Sequence, residues 1–221
     1  MKAWMRDNSL GLALFGLFLL SLIGMAISGW RADVEEQVRH GAVGVSFLAY
    51  LTSGGFLSAL FENWESEFLQ MWTYVMLTAY LFQRGSPESR DPDEPAPQDR
   101  DPALDAGKAD APWPVRAGGL ARKAYAHSLG FALLALFIAS FVLHWTQSAQ
   151  AAREEALRHG QDGPTVLGYL ADPQLWFESF QNWQSEFFST WVLVVLAIYL
   201  RERGSPESKP VSAPHSQTGS N

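Results

Sequence analysis

Two stretches of 22 residues, Ser9 to Trp30 (SLGLALFGLFLLSLIGMAISGW) and Leu129 to Gln150 (LGFALLALFIASFVLHWTQSAQ), contain no Asp, Glu, Lys or Arg. An α-helix rises about 1.5 Å per residue, so about 20 apolar residues span a bilayer core about 30 Å thick. This constrains the chain more than any other feature. A signal peptide would also place Lys2 and Arg6 before an apolar run, but its core is only about 7–15 residues long. The second run, far from the N-terminus, argues for two transmembrane helices.

Two shorter runs follow them, Phe68 to Gln83 and Phe187 to Leu200. Each becomes long enough to cross if its helix starts near Phe61 or Phe180. That start places Glu65, Glu67 and Glu186 in the first turns of the helix, at the membrane interface. Both runs end at Arg-Gly-Ser-Pro, where Gly suits the position after a helix and Pro cannot continue one.

The chain repeats itself at a constant offset of 119 residues. Arg39-His40-Gly41 matches Arg158-His159-Gly160, Asn63-Trp64-Glu65-Ser66-Glu67-Phe68 matches Asn182-Trp183-Gln184-Ser185-Glu186-Phe187, and the RGSPES of Arg84 to Ser89 recurs at Arg203 to Ser208. Roughly 35 of the 82 positions from Asn8 to Ser89 equal their partners. With two spans in each copy, the copies must be parallel, related by an axis along the membrane normal. The expected fold class is an all-α membrane protein: four transmembrane helices as two tandem two-helix repeats in a helical bundle. The first unit covers residues 1–89, with spans at about 9–30 and 63–83. The second covers 122–208, with spans at about 127–150 and 182–202.

The uncharged segment Ala42 to Phe61 could pose as another span, but its partner, Gln161 to Phe180, carries Asp162, Pro164, Asp172, Pro173 and Glu178. Both are expected to rest on or dip into the outer interface. A re-entrant loop, which Gly54-Gly55 would allow, is the alternative. Four spans leave 12 Lys and Arg on the side of the termini and 4 on the other, so the positive-inside rule puts both termini in the cytoplasm. Residues 90–121 are rich in Pro, Asp and Ala without apolar periodicity. They read as a disordered cytoplasmic linker, and 209–221 as a disordered tail.

The chain has no cysteine, which excludes disulfides, thiolate catalysis and Cys-ligated metals. Its net charge of −7 and lack of a basic tract set nucleic acid aside. Enzyme motifs such as a P-loop, a nucleophile elbow or a metalloprotease helix are missing. No catalytic residue, resident metal or cofactor is expected, and the lipid bilayer is the expected partner.

Candidate chemistry centres on NWxSEF. Asn63 and Glu67 lie four apart, as do Asn182 and Glu186, and so share a helix face. The plain account makes Trp64, Trp183, Trp72 and Trp191 interface anchors. It places the acids near helix N-termini, where the dipole favours them by about 0.3–1 kcal/mol. The sharper account makes Glu67 and Glu186, with Asn63 and Asn182, an ion or proton site, because carboxylates within an apolar zone usually face a bundle interior. His40 and His159 are weak metal or pH candidates; an Arg-His-Gly helix end explains them equally. His144 has no His in the other copy. Gly11, Gly16, Gly24 and Gly29 suit close helix packing.

The repeated NWxSEF, the repeated RGSPES and the polar linker resemble a family of small bacterial membrane proteins grouped under a domain of unknown function. Glu65 departs from its usual motif, in which Gln is common there. The resemblance covers nearly the whole chain. It implies a bacterial inner-membrane location and supplies no activity. The expected function is therefore a non-enzymatic structural or partner-binding role. A small proton or cation transporter or channel is the alternative, for which four spans would call for a homo-oligomer. A membrane enzyme comes third.

Overall fold

The computed structural model describes residues 2–41 and 43–219, and of Lys2 only the backbone. Ala42, the first residue of the segment from 42 to 61, lies outside the described residues, as do the last two of the tail. All regular structure among the described residues is helical. The order is α1 (Lys2–Asp7), α2 (Ser9–Arg39), α3 (Phe47–Leu51), α4 (Gly54–Tyr80), two 3₁₀ turns (Pro97–Asp99 and Pro102–Asp105), α5 (Trp113–Ala117), α6 (Gly119–Ala126), α7 (Ser128–Arg158), α8 (Val166–Tyr169) and α9 (Pro173–Tyr199). The helices obey the repeat: α2 and α7 begin 119 positions apart, as do α3 and α8, and α4 and α9. Two helices, α2 and α7, are long and apolar enough to cross a membrane.

The chain divides into two compact units that cut across the sequence repeat. One comprises Met1–Leu60 and Leu143–Leu170, the other Phe61–Val142 and Ala171–Asn221.

In the first unit, α2 continues beyond its apolar run from Arg31 to Arg39, supported by the Arg39–Glu35 ion pair at 2.9 Å. It stops where Gly41 takes φ +75°, and α7 stops likewise at Gly160, φ +68°. The chain then folds back along each helix. A Cβ on Gly44 would stand 2.8 Å from Val34 Cγ1, and one on Gly163 would stand 2.6 Å from the Arg153 backbone, so a side chain at either twin would force its neighbour to shift. Tryptophan rings pin the returning segments: Trp30 Nε1 donates to the Val45 carbonyl at 2.9 Å, and Trp145 Nε1 to that of Val166 at 2.7 Å. Ser46 and Thr165 then cap α3 and α8 by accepting from Ala49 and Gly168 backbone N–H groups.

The helices holding NWxSEF start earlier than the hydropathy pattern suggests. Ser53 Oγ accepts from the Phe56 N–H, and Asp172 accepts from that of Gln174 with Pro173 in the first turn. The motif therefore lies in the middle third of each 27-residue helix. The expectation that Glu65, Glu67 and Glu186 occupy first turns, favoured by dipole and caps, is corrected: those effects fade within the first turn, and the caps are Ser53 and Asp172. The first turns of α4 lie instead on the C-terminal half of α7. Ser58 and Ser148 hydroxyls meet at 2.5 Å, and a Cβ on Gly54 would stand 2.8 Å from the Ala151 nitrogen. The close-packing role expected of Gly11, Gly16 and Gly24 is not seen, since nothing lies within 4 Å of a Cβ placed there, whereas Gly29 sits under the Tyr50 hydroxyl.

In the second unit, the repeated RGSPES forms the same turn twice. Gly85 (φ +82°) and Gly204 (φ +89°) adopt a backbone that L side chains rarely reach. Ser86 Oγ accepts from the Glu88 N–H and Ser205 Oγ from that of Glu207, both at 3.2 Å. Ser89 Oγ accepts from Gln83 N at 2.9 Å, and Ser208 Oγ from Glu202 N at 3.0 Å. Composition gave reason to expect disorder in the linker and the tail. Residues 90–121 instead carry the two 3₁₀ turns, α5 and the start of α6, with Lys108–Asp105 paired at 2.8 Å and Asp93 paired with Arg84 at 2.7 Å. The tail is held by Lys209, only 1% exposed, whose ammonium donates to the carbonyls of Gly85 (2.6 Å), His215 (3.0 Å), Gln217 (3.0 Å) and Pro214 (3.3 Å).

A Leu at position 54 cannot enter the Gly54–Ala151 contact without separating the two helices. Gly54→Leu is expected to destabilise the protein by about 1–3 kcal/mol. Gly55→Leu, at a position with nothing within 4 Å, serves as the control. Equilibrium unfolding in detergent micelles measures both.

Candidate functional site

Polar residues recur along α4 and α9 at every fourth position, the spacing that stacks side chains into one row. On α4 the row is Glu62, Ser66, Gln70 and Tyr74; on α9 it is Glu178, Asn182, Glu186 and Thr190. Within the second unit these rows meet. Asn182 Nδ2 donates to Glu62 Oε1 and, at 3.1 Å, to the Glu178 carbonyl. Carboxylate oxygens of Glu62 and Glu178 come within 4.8 Å of each other. Beside them Trp183 Nε1 donates to Glu65 Oε1 at 2.8 Å, and Glu65 is wholly buried. Farther along, Gln70 Nε2 donates to Thr190 Oγ1 at 2.5 Å. The result is a seam of charge-assisted and amide hydrogen bonds between two helices.

The seam is not symmetric. Glu62 pairs with Asn182, the twin of Asn63, and Glu65 pairs with Trp183, the twin of Trp64. In α9 the working row is the Asn182–Glu186 face expected from the sequence. In α4 it is rotated by one residue, about 100°. Asn63 and Glu67 accordingly lie on an exposed face, whereas Asn182 and Glu186 are half-buried. Glu186 still lies within electrostatic reach of Glu67.

The four expected tryptophan anchors also separate. Trp64 and Trp183 each pack edge-on against the phenylalanine three residues before them, Phe61 at 5.6 Å and Phe180 at 5.3 Å. Trp183 also touches Phe137, at 6.3 Å between ring centres. Its ring N–H bonds a buried carboxylate rather than water, so Trp183 is a seam residue. Trp72 is half-buried, and Trp191 is 59% exposed, stacked on Phe188.

His40 and His159 cap their own helices: His40 Nδ1 lies 2.9 Å from the Glu36 carbonyl, and His159 Nε2 lies 2.9 Å from Glu155 Oε1. Both are exposed, and each is engaged by its own helix, as the helix-end account describes. His144 is wholly buried.

Sequence reasoning passed over Glu65 because the other copy carries Gln184. It passed over the Glu62–Ser66–Gln70–Tyr74 row because that row has no full counterpart in Gln181, Ser185, Ser189 and Leu193. The fourfold spacing was the available signal. It also missed a second acidic contact, at the far end of α4. Tyr74 Oη donates to Glu88 Oε2 at 2.7 Å, and Glu207 lies within electrostatic reach of Glu88. Burial pushes the Glu88 carboxyl above the usual range; the Tyr74 bond lowers it, and Glu207 raises it further.

A family profile described as a domain of unknown function, DUF6766, matches residues 1–220. The chain belongs to the DUF6766 family. No curated protein and no solved structure matches it. The seam and the paired turns therefore describe a DUF6766 member directly.

Trp183→Phe keeps the ring contacts and removes the donor to Glu65. It is expected to cost about 1–3 kcal/mol, the penalty for withdrawing a bond from a buried carboxylate. Trp191→Phe, on an exposed ring, is expected to cost about 0.5 kcal/mol or less. Thermal unfolding of the two purified variants compares them.

Proposed function

We propose that this chain is a four-span integral membrane protein of the cytoplasmic membrane, both termini cytoplasmic, with a non-enzymatic structural or partner-binding role. The observation that carries this reading is the α4–α9 seam. A carboxylate or carboxamide in the hydrocarbon core is costly unless it faces another helix and bonds there, and interhelical hydrogen bonds hold membrane helices together in place of a hydrophobic drive. Glu62, Glu65, Gln70, Asn182 and Thr190 meet that condition through each other. At 27 residues, α4 and α9 are about 40 Å long, enough to cross a bilayer. Their polar rows lower their hydropathy below that of α2 and α7 while serving the contact between them. The seam consumes its polar groups in mutual bonds, which suits a rigid scaffold.

The absence of cysteine makes the topology directly testable. Single cysteines at the exposed positions Val43, Leu104, Leu167 and Val211 are labelled with a membrane-impermeant maleimide in sealed vesicles. Four spans put Leu104→Cys and Val211→Cys on the cytoplasmic side and Val43→Cys and Leu167→Cys on the other. If only α2 and α7 cross, Val43→Cys and Leu104→Cys react from the same side, and the four-span reading is lost.

Glu186, half-buried and within electrostatic reach of Glu67, favours a second reading, conduction of protons or cations by an oligomer. A carboxylate in an apolar zone attracts a proton or a cation. In liposomes this predicts flux through the wild type and a large loss in the Glu67→Gln/Glu186→Gln double variant. Equal flux in both sinks it.

A further inference from the structure

We propose that the groove between the C-terminal halves of α4 and α9 is a binding site for a lipophilic organic cation, with the Glu88 carboxylate as its counter-ion. The groove has a volume of about 490 Å³, within the range of roughly 300–1,000 Å³ typical of small-molecule sites. Its walls are mostly apolar. Leu77 and Phe82 come from α4 and the residues just after it, and Phe187, Trp191 and Val194 from α9. Leu77, Phe82, Phe187 and Trp191 are exposed, so the groove is open to a ligand. Glu88, from the turn after α4, lines the same groove and accepts the Tyr74 hydroxyl at 2.7 Å. The repeated helix does not require these polar groups: the twins of Thr73, Tyr74 and Thr78 in α9 are Val192, Leu193 and Ala197. The polar wall belongs to this groove alone.

Charge around the groove selects the ligand. Among the described residues no base is paired with Glu88. Arg84 pairs with Asp93, and Arg90, its guanidinium 5.2 Å from the centre of the Phe82 ring, pairs with Asp99. Lys209 is committed to the carbonyls of its cage. Asp91 and Glu94 line the adjoining hollow together with Glu88 and add negative charge. An anion is repelled there, and a neutral body gains apolar contact only. A small hydrated cation would lose its water to apolar walls, which is costly. A cation whose charge is spread over an apolar or aromatic body has little hydration to lose. It meets the carboxylate together with the rings of Phe187 and Trp191, and aromatic faces attract cations.

The site goes beyond the structural role proposed above and depends neither on the number of spans nor on conduction. It is tested with full-length protein in nanodiscs by equilibrium dialysis, with binding to empty nanodiscs subtracted. The probes, used separately, are radiolabelled tetraphenylphosphonium and tetraphenylborate, which match in shape and differ in the sign of their charge. Saturable binding of tetraphenylphosphonium, near one per chain, is expected, and none of tetraphenylborate. Glu88→Gln keeps an acceptor for Tyr74 and removes the charge, so its affinity for tetraphenylphosphonium is expected to fall about tenfold or more. Trp191→Ala, at an exposed ring, is expected to weaken it about threefold, and carries the test should Glu88→Gln fail to fold. Saturable binding of tetraphenylborate as tight as that of tetraphenylphosphonium overturns the proposal, since the groove is then a plain apolar one. So does tetraphenylphosphonium binding that is not saturable, or that is unchanged in both variants.

Discussion

A carboxylate or amide in the middle of a long helix has to find a partner on another element, and in the second unit that requirement organises the contact between α4 and α9. The fourfold rows Glu62–Ser66–Gln70–Tyr74 and Glu178–Asn182–Glu186–Thr190 set which faces meet. The bonds from Asn182 to Glu62, Trp183 to Glu65 and Gln70 to Thr190 fix the register. Apolar side chains alone would tolerate sliding by a turn, because Leu, Val and Phe are interchangeable as contact surface. A buried acid does not tolerate it, since losing its donor leaves the full desolvation cost.

Glycines and short polar side chains then decide how closely the backbone approaches. Gly54 and Ser58 let the start of α4 lie on α7, and Gly44 and Gly163 let the returning chain lie on the helix it has just left. The twin turns end α4 and α9 in one conformation, and the Lys209 ammonium gathers the tail carbonyls against the first turn. The buried cation is held by full dipoles on four oxygens rather than by an acid.

What the sequence made legible follows from the range over which each feature is determined. The long helices α2 and α7, their ends at Arg-His-Gly and the recurrence of every element at one offset depend on composition and local backbone preference, and all are visible in the text. The starts of α4 and α9 are not, because Ser53 and Asp172 resemble ordinary loop residues and the polar middle of each helix resembles its beginning. The seam was half visible. Asn182 and Glu186 lie on the expected face, but Asn63 and Glu67 do not, because which face of α4 turns inward is decided by its partner rather than by its own repeat.

That difference says how duplication acts on physics of different range. RGSPES is identical in both copies and takes the same backbone in both, since the serine bonds that shape the turn, from Ser86 or Ser205 to the N–H two residues on and from Ser89 or Ser208 to that of Gln83 or Glu202, lie within a few residues. Position 65 and position 184 hold Glu and Gln, and the residue after the turn is Arg90 in one copy and Lys209 in the other. These positions meet different neighbours. Arg90 reaches Asp99 and the Ala79 carbonyl, while Lys209 is enclosed by the tail that only the second copy precedes. A helix pair built from twins cannot use the same face on both members if each must supply what the other lacks, an acceptor facing a donor. The one-residue rotation between the α4 and α9 rows is the solution: it sets Glu62 and Glu65 against Asn182 and Trp183. At the turns symmetry persists, because Gly85 and Gly204 take the same left-handed backbone and the serines make the same local bonds.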